Sequence, residues 1–204
     1  MSERGRPRTF DRTVALRSAM DVFWARGYEG ASISELARAM GINSPSLYAA
    51  YGSKEALFLE ATDFYSRVEG PDIWLALEDA PTAREAIELF LTRTARAYSQ
   101  TGRPQGCLIT LGALHQDSSS GLICADLRRR RGENRSALHK RLEKGVADGE
   151  LPAGFDCAAA ATFFATVQHG MSIQARDGAS CAELMATVAG AMAAWPTLAA
   201  TDKA

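Results

Sequence analysis

Apolar residues recur at intervals of three and four along nearly the whole chain, and nowhere do β-branched and polar residues alternate in the manner of a strand. That periodicity commits the chain to an all-α fold, and the abundance of Ala and Leu adds intrinsic helix propensity. Between the Gly and Pro breaks the pattern predicts helices over 11–27, 33–40, 45–51, 54–69, 82–101, 105–116, 121–148, 155–176 and 181–195, with Pro196 closing the last. In the first of these, Val14, Ala15, Ala19, Val22 and Phe23 form the buried stripe, and Gly27 supplies the left-handed residue that ends it.

With 47% hydrophobic and 23% charged residues over 204 positions, the chain can bury a core, which excludes a disordered polymer. Its apolar runs, such as 157–161, are far shorter than the roughly 18 residues of a membrane span. No uninterrupted apolar stretch follows the basic start of the chain, so a cytoplasmic protein is expected rather than a secreted one. Cys107, Cys124, Cys157 and Cys181 stand far apart without metal-ligand spacing, so free thiols and no metal or cofactor are expected. The formal charge of −1 conceals an asymmetry: residues 1–54 hold eight Lys/Arg and five Asp/Glu, a net of +3, while residues 55–204 hold fifteen and nineteen, a net of −4. A basic head on an acidic body directs any polyanionic partner to the head.

The head also carries the clearest local signals. Ser32-Ile33-Ser34-Glu35 has the form of a capping box that starts a short helix. Gly41 turns the chain, and Asn43-Ser44-Pro45 supplies a polar N-cap with Pro in the first helical turn. Two short helices joined in this way, with Ala37 allowing close approach and Ile42 and Leu47 pinning them, form a helix-turn-helix whose second helix enters a major groove. Gly52-Ser53-Lys54-Glu55 begins another helix, where free N–H groups and the Lys54 ammonium make a second point for a phosphate.

Ala31-Ser32-Ile33-Ser34-Glu35-Leu36-Ala37, Gly41-Ile42-Asn43, Leu47-Tyr48 and Gly52-Ser53-Lys54-Glu55-Ala56-Leu57 together resemble the DNA-binding domain of the TetR family of bacterial transcriptional regulators. The resemblance spans about residues 10–60; in one departure from it, Ala50 stands before Tyr51 where many members carry His. It implies a domain over 1–52 with a basic N-terminal arm that binds a palindromic DNA operator, and a helical domain over 53–204 for effector binding and dimerisation. A homodimeric, ligand-responsive regulator, most simply a repressor, follows from it.

On that frame the DNA candidates are Ser32, Asn43, Ser44, Ser46, Tyr48, Tyr51 and Lys54, with Arg4, Arg6 and Arg8 either entering a minor groove or forming a solvated tail. Arg128 to Arg131 spread around a helix and read as a solvated surface with salt bridges. Ligand candidates are Phe64, Trp74, Phe90, Thr94, Tyr98, Cys107, Leu111, Leu114, His115, Phe163, Val167 and Gln168, which as a group favour an apolar or aromatic effector. Phe164, Gln168, Met171, Leu184, Val188, Ala191, Met192 and Trp195 are the interface candidates. Cys107 is either a small packing residue or a thiol that senses electrophiles. Two rivals remain open: a helical enzyme using Cys107, His115 or His169, and a DNA-binding protein controlled by a protein partner.

Overall fold

The computed structural model describes residues 11–113 and 121–200. Every regular element among them is helical: α1 (Arg12–Gly30), α2 (Ile33–Ala39), α3 (Ser44–Tyr51), α4 (Lys54–Val68), α5 (Pro71–Asp79), α6 (Ala83–Tyr98), α7 (Leu108–Leu111), α8 (Gly121–Ala147), α9 (Cys157–Arg176), α10 (Cys181–Ala193) and α11 (Trp195–Ala199). Helix starts follow the polar caps. Asp11, Ser32, Asn43, Ser53, Thr82, Asp156 and Ser180 each accept a backbone N–H of the first turn that has no intrahelical partner.

Gly27, with φ of 71°, breaks α1 as its sequence position predicts, and one further turn carries the chain to Gly30. The stripe that α1 buries is shifted from the expected one. Leu16, Met20 and Trp24 join Ala15, Ala19 and Phe23 inside, while Val14 stays 62% exposed. The Ser32–Glu35 capping box is half formed: the Ser32 hydroxyl accepts from the Glu35 N–H at 3.1 Å, but the Glu35 carboxylate turns to Arg26, 3.4 Å away. Both halves are present instead at Ser180 and Glu183, which start α10.

The helices expected over 54–69 and 181–195 end as predicted, α4 at Val68 and α10 at Ala193. Pro71 and Pro196 each also sit in the first turn of a further helix that the pattern did not predict, α5 and α11, where a missing N–H costs no hydrogen bond. The helix expected over 105–116 is confined to α7 among the described residues, because Gly106 takes φ of 76° immediately before it.

A single hydrophobic core runs through head and body. Phe23 and Tyr28 from α1 meet Phe58 of α4 edge-on, at 4.9 and 5.3 Å between ring centres, and Trp24 meets Tyr65 at 4.9 Å. In the body α5 packs on α6, and α9 packs against α8, α6 and α10. No helix among the described residues is long and apolar enough to cross a membrane.

Candidate nucleic-acid interface and effector cavity

The turn between α2 and α3 is built from short-range bonds. Met40 follows α2 in an αR conformation, Gly41 takes φ of 68°, and the Ile42 N–H returns to the Ala37 carbonyl at 3.0 Å. Leu36, Ala37, Met40 and Leu47 are buried beneath the turn, whereas Ile42 is only half-buried. This fixes which side of α3 faces outward. Tyr48 is 47% exposed and Pro45 and Ala49 are exposed, with Ser44 and Ser46 at the margin.

Asn43 caps α3 by accepting from the Ser46 N–H at 2.8 Å, which leaves its amide donors outward. Ser32 keeps its hydroxyl proton for an outside acceptor in the same way. Tyr51 is placed differently from the other candidates. Its ring is buried under the Arg12 guanidinium, and its hydroxyl donates to the Arg12 carbonyl at 3.4 Å, so it packs beneath the head. Lys54, in the first turn of α4, holds its ammonium 4.4 Å from the centre of the Tyr28 ring. The Tyr28 hydroxyl donates to Glu55 at 2.7 Å. Burial and then that bond raise the Tyr28 phenol above its ordinary value, while the same bond, received by Glu55, holds its carboxyl below the usual range. Arg38, exposed at the end of α2 without an ion pair among the described residues, adds a cation that sequence reasoning passed over. Arg4, Arg6 and Arg8 lie outside the described residues.

In the body, a cavity of about 880 Å³ opens between α5 and α8. Of the sequence candidates it brings together Trp74, Tyr98, Cys107 and Gln168. Six others stand elsewhere. Phe90 is fully buried behind Trp74, and Thr94 is fully buried with its hydroxyl oxygen unpartnered among the described residues. Phe64 lies under Arg17, Leu111 packs beside Gly106, Phe163 packs against Phe164, and Val167 is half-buried outside the cavity. Leu114 and His115 lie outside the described residues. Sequence reasoning missed Tyr65, Ile73 and Leu77, and with them a polar stripe of α8 that includes Asn134 and Arg141. The three-and-four spacing of that stripe was visible, but its cavity-facing side was not.

At the cavity floor, Cys107 hydrogen-bonds with the hydroxyls of both Tyr65 and Tyr98. Burial and then the neighbouring thiol push both phenols well above their ordinary value, so they remain neutral donors. The floor is tied directly to the head. The Trp24 indole N–H donates to the Gly106 carbonyl at 3.2 Å, and the Tyr28 N–H to the Gly112 carbonyl at 2.8 Å. Arg176 at the end of α9 donates to the carbonyls of Gln105, Ala25 and Trp24 at 3.0, 3.1 and 2.7 Å. Within the arginine run of α8, Arg129 and Arg130 form the expected salt bridges, whereas Arg128 is exposed without an ion pair among the described residues and Arg131 is half-buried on a backbone carbonyl. Arg129 meets Asp126 and Glu133, Arg130 meets Asp126 and Asp63, and Arg131 donates to the Ile109 carbonyl.

The expected interface residues need correction. Phe164, Gln168, Met171, Leu184, Val188, Ala191, Met192 and Trp195 are all less than 7% exposed within one chain. Phe164 and Trp195 pack at 5.8 Å, so this stripe holds α9, α10 and α11 together and has no surface to offer a partner. The opposite side of the two helices is exposed: Thr162, Thr166, Gly170 and Ile173 on α9, and Ala182, Ala186, Ala189 and Ala193 on α10.

A helix-turn-helix at one end of a helical body, with an interior cavity wired to it, defines a two-part regulatory protein. The model of the tetR family of bacterial regulatory proteins matches residues 15–61, and that of the tetracyclin repressor-like C-terminal domain matches residues 83–189. The chain belongs to the TetR family of transcriptional regulators. It is 33% identical over 196 residues to the transcriptional repressor ComR of Escherichia coli K12, covering 96% of this chain and 93% of that one. To the repressor BdcR of the same organism it is 32% identical over 188 residues, covering 91% and 89%. A cysteine-substituted form of the regulator CifR, solved with a 26-bp operator duplex, superposes with a TM-score of 0.90 at 45% identity, covering 94% of this chain and 100% of that chain.

Proposed function

We propose that this chain is a repressor that binds a roughly palindromic operator as a homodimer and leaves it when a small molecule fills the cavity. The observation that carries the reading is the set of bonds joining cavity to head. Cys107 belongs to the floor, and Gly106 and Gly112, on either side of α7, hold Trp24 and Tyr28 of α1. Tyr28 in turn anchors Lys54 and Glu55 at the start of α4, next to the end of α3. A ligand that displaces the floor shifts the support of the recognition helix. It lowers DNA affinity only to the extent that it prefers the displaced shape.

Ser32, Ser44, Tyr48 and Arg38 make phosphate contacts in this reading, and Asn43 and Ser46 face base edges. The repressors ComR and BdcR and the operator complex of CifR support it. The small-residue side of α9 and α10 suits a two-fold four-helix contact, because Ala and Gly let backbones approach closely; half-sites then follow the dimer's symmetry. The test is selection of purified protein on a randomised duplex library, repeated at higher salt. Enrichment of a palindrome is expected. Binding that enriches no sequence and vanishes with salt reduces the protein to phosphate electrostatics and overturns the reading.

A second reading, direct sensing of electrophiles, is favoured by the position of the Cys107 thiol at the cavity floor against two hydroxyl donors. Peptide mapping after a small alkylating agent distinguishes it. Modification at Cys107 must accompany loss of operator binding, and Cys107→Ser must remove both.

A further inference from the structure

One side of α8 forms a continuous wall of the cavity, from Arg130 through Asn134 and Arg141 to Lys144. The fourteen helical steps from Arg130 to Lys144 make that wall about 21 Å long. Across from it α5 presents Ile73, Trp74 and Leu77, so the two long walls differ in chemistry, one polar and basic, the other apolar.

Most charges on the polar side are already engaged. Arg130 pairs with Asp126 and Asp63, Lys144 with Asp148, Glu133 with Arg129, and Glu69 with Arg103. Lys140 also lines the cavity without an ion pair among the described residues, but it is exposed and keeps its water, so Arg141 is the buried exception. It is 8% exposed, its only ion pair is with Glu150 at 3.7 Å, and its Nη1 has no hydrogen-bond partner among the described residues. Glu150 is itself occupied by the Ala83 N–H. A guanidinium carries five donors, and a buried cation that uses so few of them has lost hydration without replacing it. Gln168, 4% exposed on the same cavity, makes no side-chain hydrogen bond among the described residues either. Glu78 has no ion pair among them, but it is exposed and keeps its water.

Building on the cavity as the effector site, we propose that its ligand is an elongated monocarboxylic acid. Its carboxylate accepts from the Arg141 guanidinium, and its acyl or aryl body lies along Ile73, Trp74 and Leu77 toward Gln168. Planar two-oxygen geometry matches the guanidinium fork, and one negative charge matches one under-partnered buried cation. A phosphate would bring a second charge into a site lined by Glu69, Glu78 and Glu133, with Glu150 beside Arg141 and no second under-partnered buried guanidinium to meet it.

Titration calorimetry of the full chain with octanoate, 1-octanol and octylamine reads this directly, with hexanoate and decanoate bracketing the length. Octanoate is expected to bind at least about tenfold more tightly than octanol, the range for a hydrogen bond to a charged group, and octylamine more weakly still. Arg141→Met should bring acid and alcohol within about threefold of each other. Arg135→Met, an exposed position of α8 outside the cavity, should leave the preference intact. Equal binding of octanol or octylamine, absence of binding by all three acids, or an unchanged preference in a folded Arg141→Met protein overturns the proposal. The wild-type comparison needs no variant to fold. Operator affinity measured with and without octanoate separates the two readings. Acid binding that leaves DNA affinity unchanged keeps the carboxylate site and removes its role as effector site.

Discussion

The head and the body of this protein place their sites in opposite ways. In the head, α2 and α3 bury Leu36, Ala37 and Leu47 and turn their caps outward, so the site is the surface left over once a small core has formed. In the body, the site is a space enclosed between helices, and its walls come from elements that also supply the core, such as Leu138 and Leu142 of α8 and Ala76 of α5. The two glycine turns show the same difference. A Cβ on Gly41, in the turn between α2 and α3, would meet nothing within 4 Å, whereas one on Gly106 would lie 2.6 Å from the Ser172 carbonyl oxygen. Conformation alone requires glycine in the head, and close packing requires it as well in the body.

If the two regions nevertheless share one core, removing their common aromatic should collapse both together. Phe58 is fully buried between Phe23 and Tyr28 and touches the backbone of the body near Gly112. Phe58→Ala is expected to cost about 3–5 kcal/mol and to keep a single urea transition by both far-UV circular dichroism and Trp fluorescence. Two separated transitions would mean that head and body fold as independent units. The glycine contrast is expected to rank next. Gly41→Ala should cost about 1–2 kcal/mol, the penalty of a left-handed residue alone, and Gly106→Ala about 3 kcal/mol or more because the Ser172 carbonyl must also move. Equal losses in denaturant midpoints would break the comparison.

That contrast also explains what could be read in advance. The caps at Ser32, Asn43 and Ser53 and the turn at Gly41 are set by neighbours within four residues, so residue order alone located the helix-turn-helix. Phe90, Trp74 and Phe164 are chemically alike, yet one is core behind the cavity, one is cavity wall, and one joins α9 to α11. Helical spacing gives a stripe without saying what lies opposite. For the same reason the apolar stripe of α9 and α10 read as an interface when it is the chain's own core. α5 and α11 went unpredicted for a local reason: proline ends one helix and suits the start of the next, and the residue alone does not say whether a further helix follows.

A smaller effect sharpens the division between surface site and structural core. Ser32→Ala removes a one-sided cap, and the expected loss is about 1 kcal/mol. Ser180→Ala removes a reciprocal box and should lower the melting temperature more. Operator affinity should fall for Ser32→Ala and stay unchanged for Ser180→Ala when both are measured well below their melting temperatures. A drop of similar size for both would show that cap strength in the body reaches the DNA face.

The smallest expected effect is an order of events in acid. Burial and then Arg131 hold the His169 imidazole below its ordinary value, and the bond from Tyr28 holds the Glu55 carboxyl below the usual carboxylate range. Both groups have folded values below their unfolded ones, so in each case the unfolded chain binds more protons as pH falls. Each therefore contributes stability that is complete above its unfolded value and lost on descending through the folded one. For His169, on α9, that window opens just below pH 6.5; for Glu55, beside the head, it opens only below about pH 4.5. His169→Asn should flatten the fall in melting temperature between about pH 6.5 and 5 without altering the steeper loss near pH 4. Glu55→Gln should do the reverse. If His169→Asn leaves the upper limb unchanged, the imidazole is as free to take a proton in the folded body as in the unfolded chain, and the body's acid response lies with its carboxylates.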